Sequence, residues 1–179
     1  MWDEELIELA ERAGGLLRDA GLTVAVAESC TGGLLGGVLT AVPGSSAYFL
    51  GGVVAYHDSL KTGLLGVRAD VLAQHGAVSA QCAVQMAQGV CRATGADIGI
   101  AITGIAGPTG GTPEKPVGTT YIALVGQDML QVERFLWQGG RESNRTSSVR
   151  AALKMLLAVR KPRRHREHEG HRVMYGFEV

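Results

Sequence analysis

Ser29 has the setting that most invites chemistry. It lies in TVAVAESCTGGLLGG (23–37), where an apolar run suited to a buried strand breaks into polar and glycine residues before helical apolar spacing resumes at Leu34. Strand, tight turn and helix start in that order put Glu28, Ser29, Cys30 and Thr31 at the carboxyl end of a strand, where open α/β sheets bind ligands. Gly32 and Gly33 allow close approach of backbone N–H groups, and a helix start adds unpaired donors with a partial positive charge. An anion or oxyanion fits such a turn. So does a plainer role in which Ser29 or Thr31 only caps the helix. The G-x-S-x-G pattern of a nucleophile elbow is absent.

A serine hydroxyl is inert at neutral pH until a base takes its proton. Cys30 is a rival nucleophile, but neighbours on a strand point to opposite faces and cysteine is the more often buried type, which favours Ser29 for the site. Glu28 is either a base or a carboxylate that orients backbone donors. No histidine is well placed, since His57 and His75 are isolated. His165, His168 and His171 are spaced by three, but Gly170 sits beside a would-be ligand and no apolar face docks the segment, so no metal site is expected. Lys61 can serve as a base if its surroundings favour the amine, with the Tyr56 phenol relaying protons. A lone lysine is equally readable as a solvated surface residue.

The elements that must position these residues follow from the spacing. Residues 3–20 read as a helix with Asp3 as its cap and Leu6, Leu9, Ala13, Leu16, Leu17 and Ala20 on one stripe, stopped by Gly21. The strand carrying Ser29 follows, then a helix of about ten residues ended by Pro43-Gly44. YFLGGVVAY (48–56) suits a strand, with Gly51 and Gly52 marking a bulge or close packing. His57, Asp58 and Ser59 begin a short helix that bears Lys61, so Tyr56 and Lys61 can face one strand end. Residues 68–74 form another short helix, and Ser79 caps a longer one closed by Gly95. The strand 97–103 delivers Thr103 into GIAGPTGGTPEKPVG, a loop too long for a simple turn. A hairpin of strands 119–125 and 131–136 follows, then a last core helix from Arg141. Strands alternating with helices read as an α/β chain.

Composition bounds the function. With 179 residues, 46% hydrophobic and 19% charged, the chain is expected to form one domain over residues 1–160, followed by a basic tail at 161–179 that is disordered or docks on the domain. Seventeen basic and seventeen acidic residues cancel, so no overall field recruits nucleic acid or membrane. Three cysteines with no C-x-x-C pair argue against disulfides or a zinc ribbon and fit a reducing cytoplasm. The acidic, amphipathic start lacks the features of a signal peptide, and glycines interrupt every apolar run before membrane-spanning length. A soluble cytoplasmic protein is expected.

Six motifs, AESCTGG (27–33), PGSSAYF (43–49), YHDSLK (56–61), HGAVS (75–79), TGIAGPTGG (103–111) and EKPVGT (114–119), together and in order resemble the CinA C-terminal domain family over about residues 5–158. The resemblance implies a three-layer α/β/α sandwich around a mixed sheet. It also implies a nicotinamide-nucleotide amidohydrolase, which converts nicotinamide mononucleotide to the acid and releases ammonia, without a cofactor. The family's nucleophilic serine lands on Ser29, its tyrosine and lysine on Tyr56 and Lys61, the residue before its G-I-A-G-P loop on Thr103 and a substrate-side arginine on Arg145. Thr31, Gly32, Gly33, Ser46, Gly104 and Gly107 complete the expected substrate-binding set. The expected partners are a small nucleotide substrate and further copies of the chain, as a homodimer or higher homo-oligomer. Two departures stand out: Gly140 where similar sequences have aspartate, and a tail after Val159 unlike the family. The larger N-terminal domain of many such proteins is missing, which suggests the stand-alone form. The alternative is a competence-associated module that binds a nucleotide without catalysis.

Overall fold

The computed structural model describes residues 3–159. The tail expected at 161–179, with its three histidines, lies outside the described residues. The elements run α1 (Glu4–Ala20), β1 (Val24–Glu28), α2 (Leu34–Thr40), a 3-10 turn (Ser45–Ala47), β2 (Phe49–Val54), α3 (Asp58–Gly63), α4 (Ala69–His75), α5 (Ala80–Thr94), β3 (Ile98–Gly104), β4 (Thr119–Gly126), β5 (Met129–Leu136) and α6 (Arg141–Leu157). The sheet order is β2-β1-β3-β4-β5, with β2, β1 and β3 parallel and β4 and β5 antiparallel to their neighbours. This is the expected α/β fold: a mixed open sheet with a helical layer on each face.

Alternation along the central strands explains why the two layers differ. Val24 and Val26 of β1 and Ile98, Ile100 and Ile102 of β3 face one core with residues of α1, α2 and α6. Ala25, Ala27 and Ala101 face the other, against Cys82, Ala83, Met86, Ala87 and Val90 of α5. Small residues on that face let α5 lie close to the sheet. A Cβ on Gly99 would meet the Ala87 carbonyl oxygen at 2.2 Å, and one on Gly89 of α5 would meet the Leu65 carbonyl oxygen at 2.0 Å.

Most expected elements form, with local differences that have physical causes. The Asp3 carboxylate accepts from the Glu5 amide at 3.0 Å, as a cap should. Pairing slips by one residue between Val24–Phe49 and Ala25–Gly51, and Gly51 has φ 138°, so the bulge expected at this glycine pair is present. Tyr48 is not a strand residue. Its ring is fully buried beneath α1, where a Cβ on Gly14 would come within 2.5 Å of the phenol oxygen. The helix after the Ser29 turn has seven residues rather than ten.

Candidate active site

The residue parity of β1 decides the competition between Ser29 and Cys30. Cys30 continues the side of Val24 and Val26 into the core under α1, α2 and α6, and its burial pushes the thiol up to about 11. Ser29 continues the side of Ala25 and Ala27 and lines a cavity of about 370 Å³ together with Tyr56, Asp58, Lys61, Thr103, Gly104, Gly107 and Arg141. The four residues expected to be catalytic, from three separate stretches of sequence, therefore share one cavity. Cys30 also reaches its wall, but as a buried thiol.

Glu28 settles into the second of its two expected roles. Its carboxylate, 1% exposed, accepts from the amides of Gly33 and Leu35, both at 3.1 Å, and of Gly36 at 2.8 Å. It thus caps α2 from the end of β1, and neither Ser29 nor Thr31 caps this helix. The consequence corrects the expected role of the glycines. The Gly33 N–H is taken by Glu28, the Gly32 N–H donates to the Ser29 carbonyl at 3.0 Å, and the Leu34 N–H donates to the Thr31 carbonyl at 3.4 Å. In this turn the Cys30 and Thr31 amides are the donors without a partner among the described residues.

Lys61 is a buried lysine, 1% exposed, and not the solvated residue its type suggests. Its Nζ donates to the carbonyls of Ala55 at 3.0 Å and Tyr56 at 3.2 Å and to the Asp58 carboxylate at 3.1 Å. Three donors meet three acceptors, which satisfies an ammonium group. No hydrogen bond joins it to Ser29 among the described residues. His57 Nδ1 accepts from the Ser59 amide at 3.2 Å and starts the short helix that carries Lys61 inward. Thr103, 1% exposed, donates its hydroxyl to the Ala77 carbonyl at 2.8 Å, which leaves the oxygen's lone pairs for the cavity.

Of the seven expected substrate residues, Thr31, Gly32, Gly33, Ser46 and Arg145 do not line this cavity. Ser46 is in the 3-10 turn before β2, and because β1 and β2 are parallel it sits at the opposite end of the sheet from Ser29. Arg145 is outside the cavity lining; its guanidinium donates to the Thr31 carbonyl at 2.7 Å and so braces the Ser29 turn. Thr31 is fully buried and does not line the cavity, and its hydroxyl oxygen has no hydrogen-bond partner among the described residues, like Nε of Arg145. Gly104 and Gly107 do line it. A Cβ on Gly104 would fall 2.6 Å from the Thr120 hydroxyl, while Gly107, with φ 90°, presents its carbonyl to Arg141.

Arg141 is the residue that motif reasoning overlooked. It lines the cavity and donates to the Gly107 carbonyl at 2.9 Å and to the Tyr56 phenol oxygen at 3.0 Å, joining α6, the glycine-rich loop and the turn before α3. A signal existed, because a cation at the first position of a helix opposes the helix dipole and needs another reason to be there. One turn on, buried Asn144 fastens the same loop: its Nδ2 donates to the Ala106 carbonyl at 3.1 Å and its Oδ1 accepts from the Gly139 amide at 3.1 Å. Gly140 gives α6 no side-chain cap, consistent with its lack of a carboxylate. A larger open groove of about 520 Å³ runs along α6 past Ser143, Thr146 and Arg150 and shares only Arg141 with the Ser29 cavity. It holds neither a nucleophile with a base nor a buried charge, so the smaller cavity is the better candidate for chemistry.

Among the described residues no group of three His, Cys, Asp or Glu is placed to hold a metal ion. No helix there is long and apolar enough to cross a membrane.

Comparison with known proteins agrees with the fold. The CinA-like protein of Citrifermentans bemidjiense is 52% identical over 156 residues, covering 87% of this chain and 38% of that protein. That of Thermotoga maritima is 48% identical over 161 residues, covering 90% of this chain and again 38% of the relative. The chain thus spans well under half the length of these curated relatives. The crystal structure of the competence/damage inducible protein CihA from Agrobacterium tumefaciens superposes with TM-score 0.83 at 42% identity, covering 88% of this chain and 97% of that one. A CinA superfamily protein from Escherichia coli gives TM-score 0.83 at 32% identity, covering 88% and 92%. The family model described as the CinA C-terminal domain matches residues 6–159, and the chain belongs to that family.

Proposed function

We propose that the protein is a serine amidohydrolase that deamidates nicotinamide mononucleotide. The observation that carries this reading is the convergence of Ser29, Tyr56, Lys61 and Thr103 on one cavity, with Lys61 buried and Cys30 turned into the core. A site for binding alone has no chemical need of a buried lysine beside a serine.

In the forward reaction the amine form of Lys61 takes the Ser29 proton as Oγ attacks the carboxamide carbon. Losing a proton frees one of the three Nζ contacts and leaves a lone pair that can turn toward Ser29. The Cys30 amide, at the cavity wall and without a backbone partner among the described residues, is the donor suited to the developing oxyanion. The proton passes to the departing nitrogen through Lys61 or the Tyr56 phenol. Ammonia leaves, and water, deprotonated by the same amine, releases the acid and restores Ser29. Arg141 at the cavity edge and the amides of Ala106 and Gly107, which have no partner among the described residues, suit the nucleotide phosphate.

The test is ammonia release from nicotinamide mononucleotide by the purified protein. Steady release that Ser29→Ala abolishes supports the proposal. Binding of the nucleotide without release would favour the non-catalytic module.

A further inference from the structure

Lys61 is held by three acceptors of two kinds. The Ala55 and Tyr56 carbonyls belong to the backbone where β2 leads into α3, so they are neutral and fixed. Asp58 is different: among the described residues it is the one ionisable side chain in contact with Nζ, three residues earlier on the same helix, and its side chain is 58% exposed while that of Lys61 is 2% exposed. The buried nitrogen therefore meets solvent-accessible charge at one oxygen, Asp58 Oδ1. Other charged or titratable groups near it do not take this place. Cys82 of α5 packs on the same side with its thiol pushed up to about 11 by burial, which keeps it neutral near pH 7. Tyr56 offers Nζ its carbonyl and turns its phenol to Arg141, and Lys115 donates its ammonium to the His75 carbonyl at 2.6 Å.

We propose that Asp58 is a positioning residue that holds Lys61 as the ammonium between turnovers and so sets the pH at which its amine becomes available to Ser29. This inference rests on the amidase reading. An opposite charge within hydrogen-bonding distance stabilises the protonated amine, whereas an amide at the same place keeps the shape of the contact without the charge. Asp58→Asn therefore moves the acid limb of the rate profile about one pH unit lower, and Asp58→Glu restores most of the original position. A residue that merely held α3 in place would change the rate without moving the profile.

The experiment is a titration of the full-length protein with lysine ε-carbons labelled, Lys61 being assigned by the resonance lost in Lys61→Arg. The titration is run on the native protein, Asp58→Asn and Asp58→Glu, alongside ammonia release against pH. The expected result is a Lys61 midpoint about one unit lower in Asp58→Asn, mostly restored in Asp58→Glu, with the rate profile displaced by the same interval. An unchanged midpoint overturns the proposal, as does a midpoint that moves while the rate profile stays. If none of the proteins releases ammonia, the amidase reading fails, and the titration alone decides whether Asp58 governs Lys61.

Discussion

At the scale of single residues, the site is built by a parity rule and by one carboxylate. Parity along β1 sends Ser29 to the cavity and Cys30 to the core, so two adjacent nucleophile types have unequal prospects. Ser29→Ala is expected to lower ammonia release at least 1,000-fold, roughly the order lost when a nucleophile is removed. Cys30→Ala should keep most activity and lose about 1 kcal/mol of stability through the small void it leaves. Paired rate and urea-unfolding measurements check both, and a dead Cys30→Ala with an active Ser29→Ala would reverse the assignment. The serine was legible in the sequence because strand, turn and helix signals meet there. The roles of its neighbours were not. A motif such as AESCTGG shows which residues are adjacent, but not that Glu28 folds back to take the Gly33, Leu35 and Gly36 amides and so removes glycine donors from the ligand's reach. Arg141 was hidden for another reason: its partner Tyr56 is 85 positions away, and no local pattern records that contact.

At the scale of elements, strong periodicity made nearly every helix and strand readable, while the ends of the sheet were not. Ser46 belongs to a motif shared with the family, yet a residue before β2 and one after β1 sit at opposite ends of parallel strands, a fact only the pairing reveals. Packing between elements gives two predictions. Alanine usually stabilises a helix relative to glycine by about 1 kcal/mol, but Gly89→Ala would drive a Cβ to within 2.0 Å of the Leu65 carbonyl oxygen, so this substitution should cost about 2–3 kcal/mol in urea unfolding. An increase in stability would show that α5 does not lie so close to the Leu65 loop. The second concerns Asp97, whose carboxylate accepts from the Thr23 hydroxyl at 2.6 Å and amide at 2.8 Å and so ties the starts of β3 and β1. These bonds, the hydroxyl first, hold its carboxyl below the ordinary value. A depressed folded value means that the stabilisation is present above the unfolded value, near 3.9, and is lost as pH falls through the folded one. Asp97 is exposed, so solvent screening weakens the contact, and Asp97→Asn should be less stable at pH 7 by only about 0.5 kcal/mol, the gap narrowing in urea denaturation as pH falls below the unfolded value.

At the scale of the whole molecule, the cavity is a seam. Ser29, Tyr56 and Lys61 come from the turn after β1, the β2–α3 turn and α3, whereas Thr103, Gly107 and Arg141 come from β3, the long loop and α6. Arg141 bridges the two sides through Tyr56 and Gly107. A ligand filling the seam should join the same parts and stabilise the fold by linkage. Ser29→Ala allows the measurement without turnover. Nicotinamide mononucleotide at about 100 times its dissociation constant adds about 2.7 kcal/mol, which for a chain of this size raises the melting temperature by roughly 5–10 °C. Adding Arg141→Ala removes a charged contact at the cavity edge. If that weakens binding about tenfold, the same ligand concentration yields about 1.4 kcal/mol, so the shift should fall to about half. The readout is the melting temperature of both variants with and without nucleotide, with nicotinamide riboside as a comparison lacking phosphate. If Arg141 meets the phosphate, the riboside shift should be small in both variants and insensitive to Arg141. Equal shifts with mononucleotide and riboside would remove phosphate recognition from Arg141, and no shift with either would remove the nucleotide from the cavity altogether.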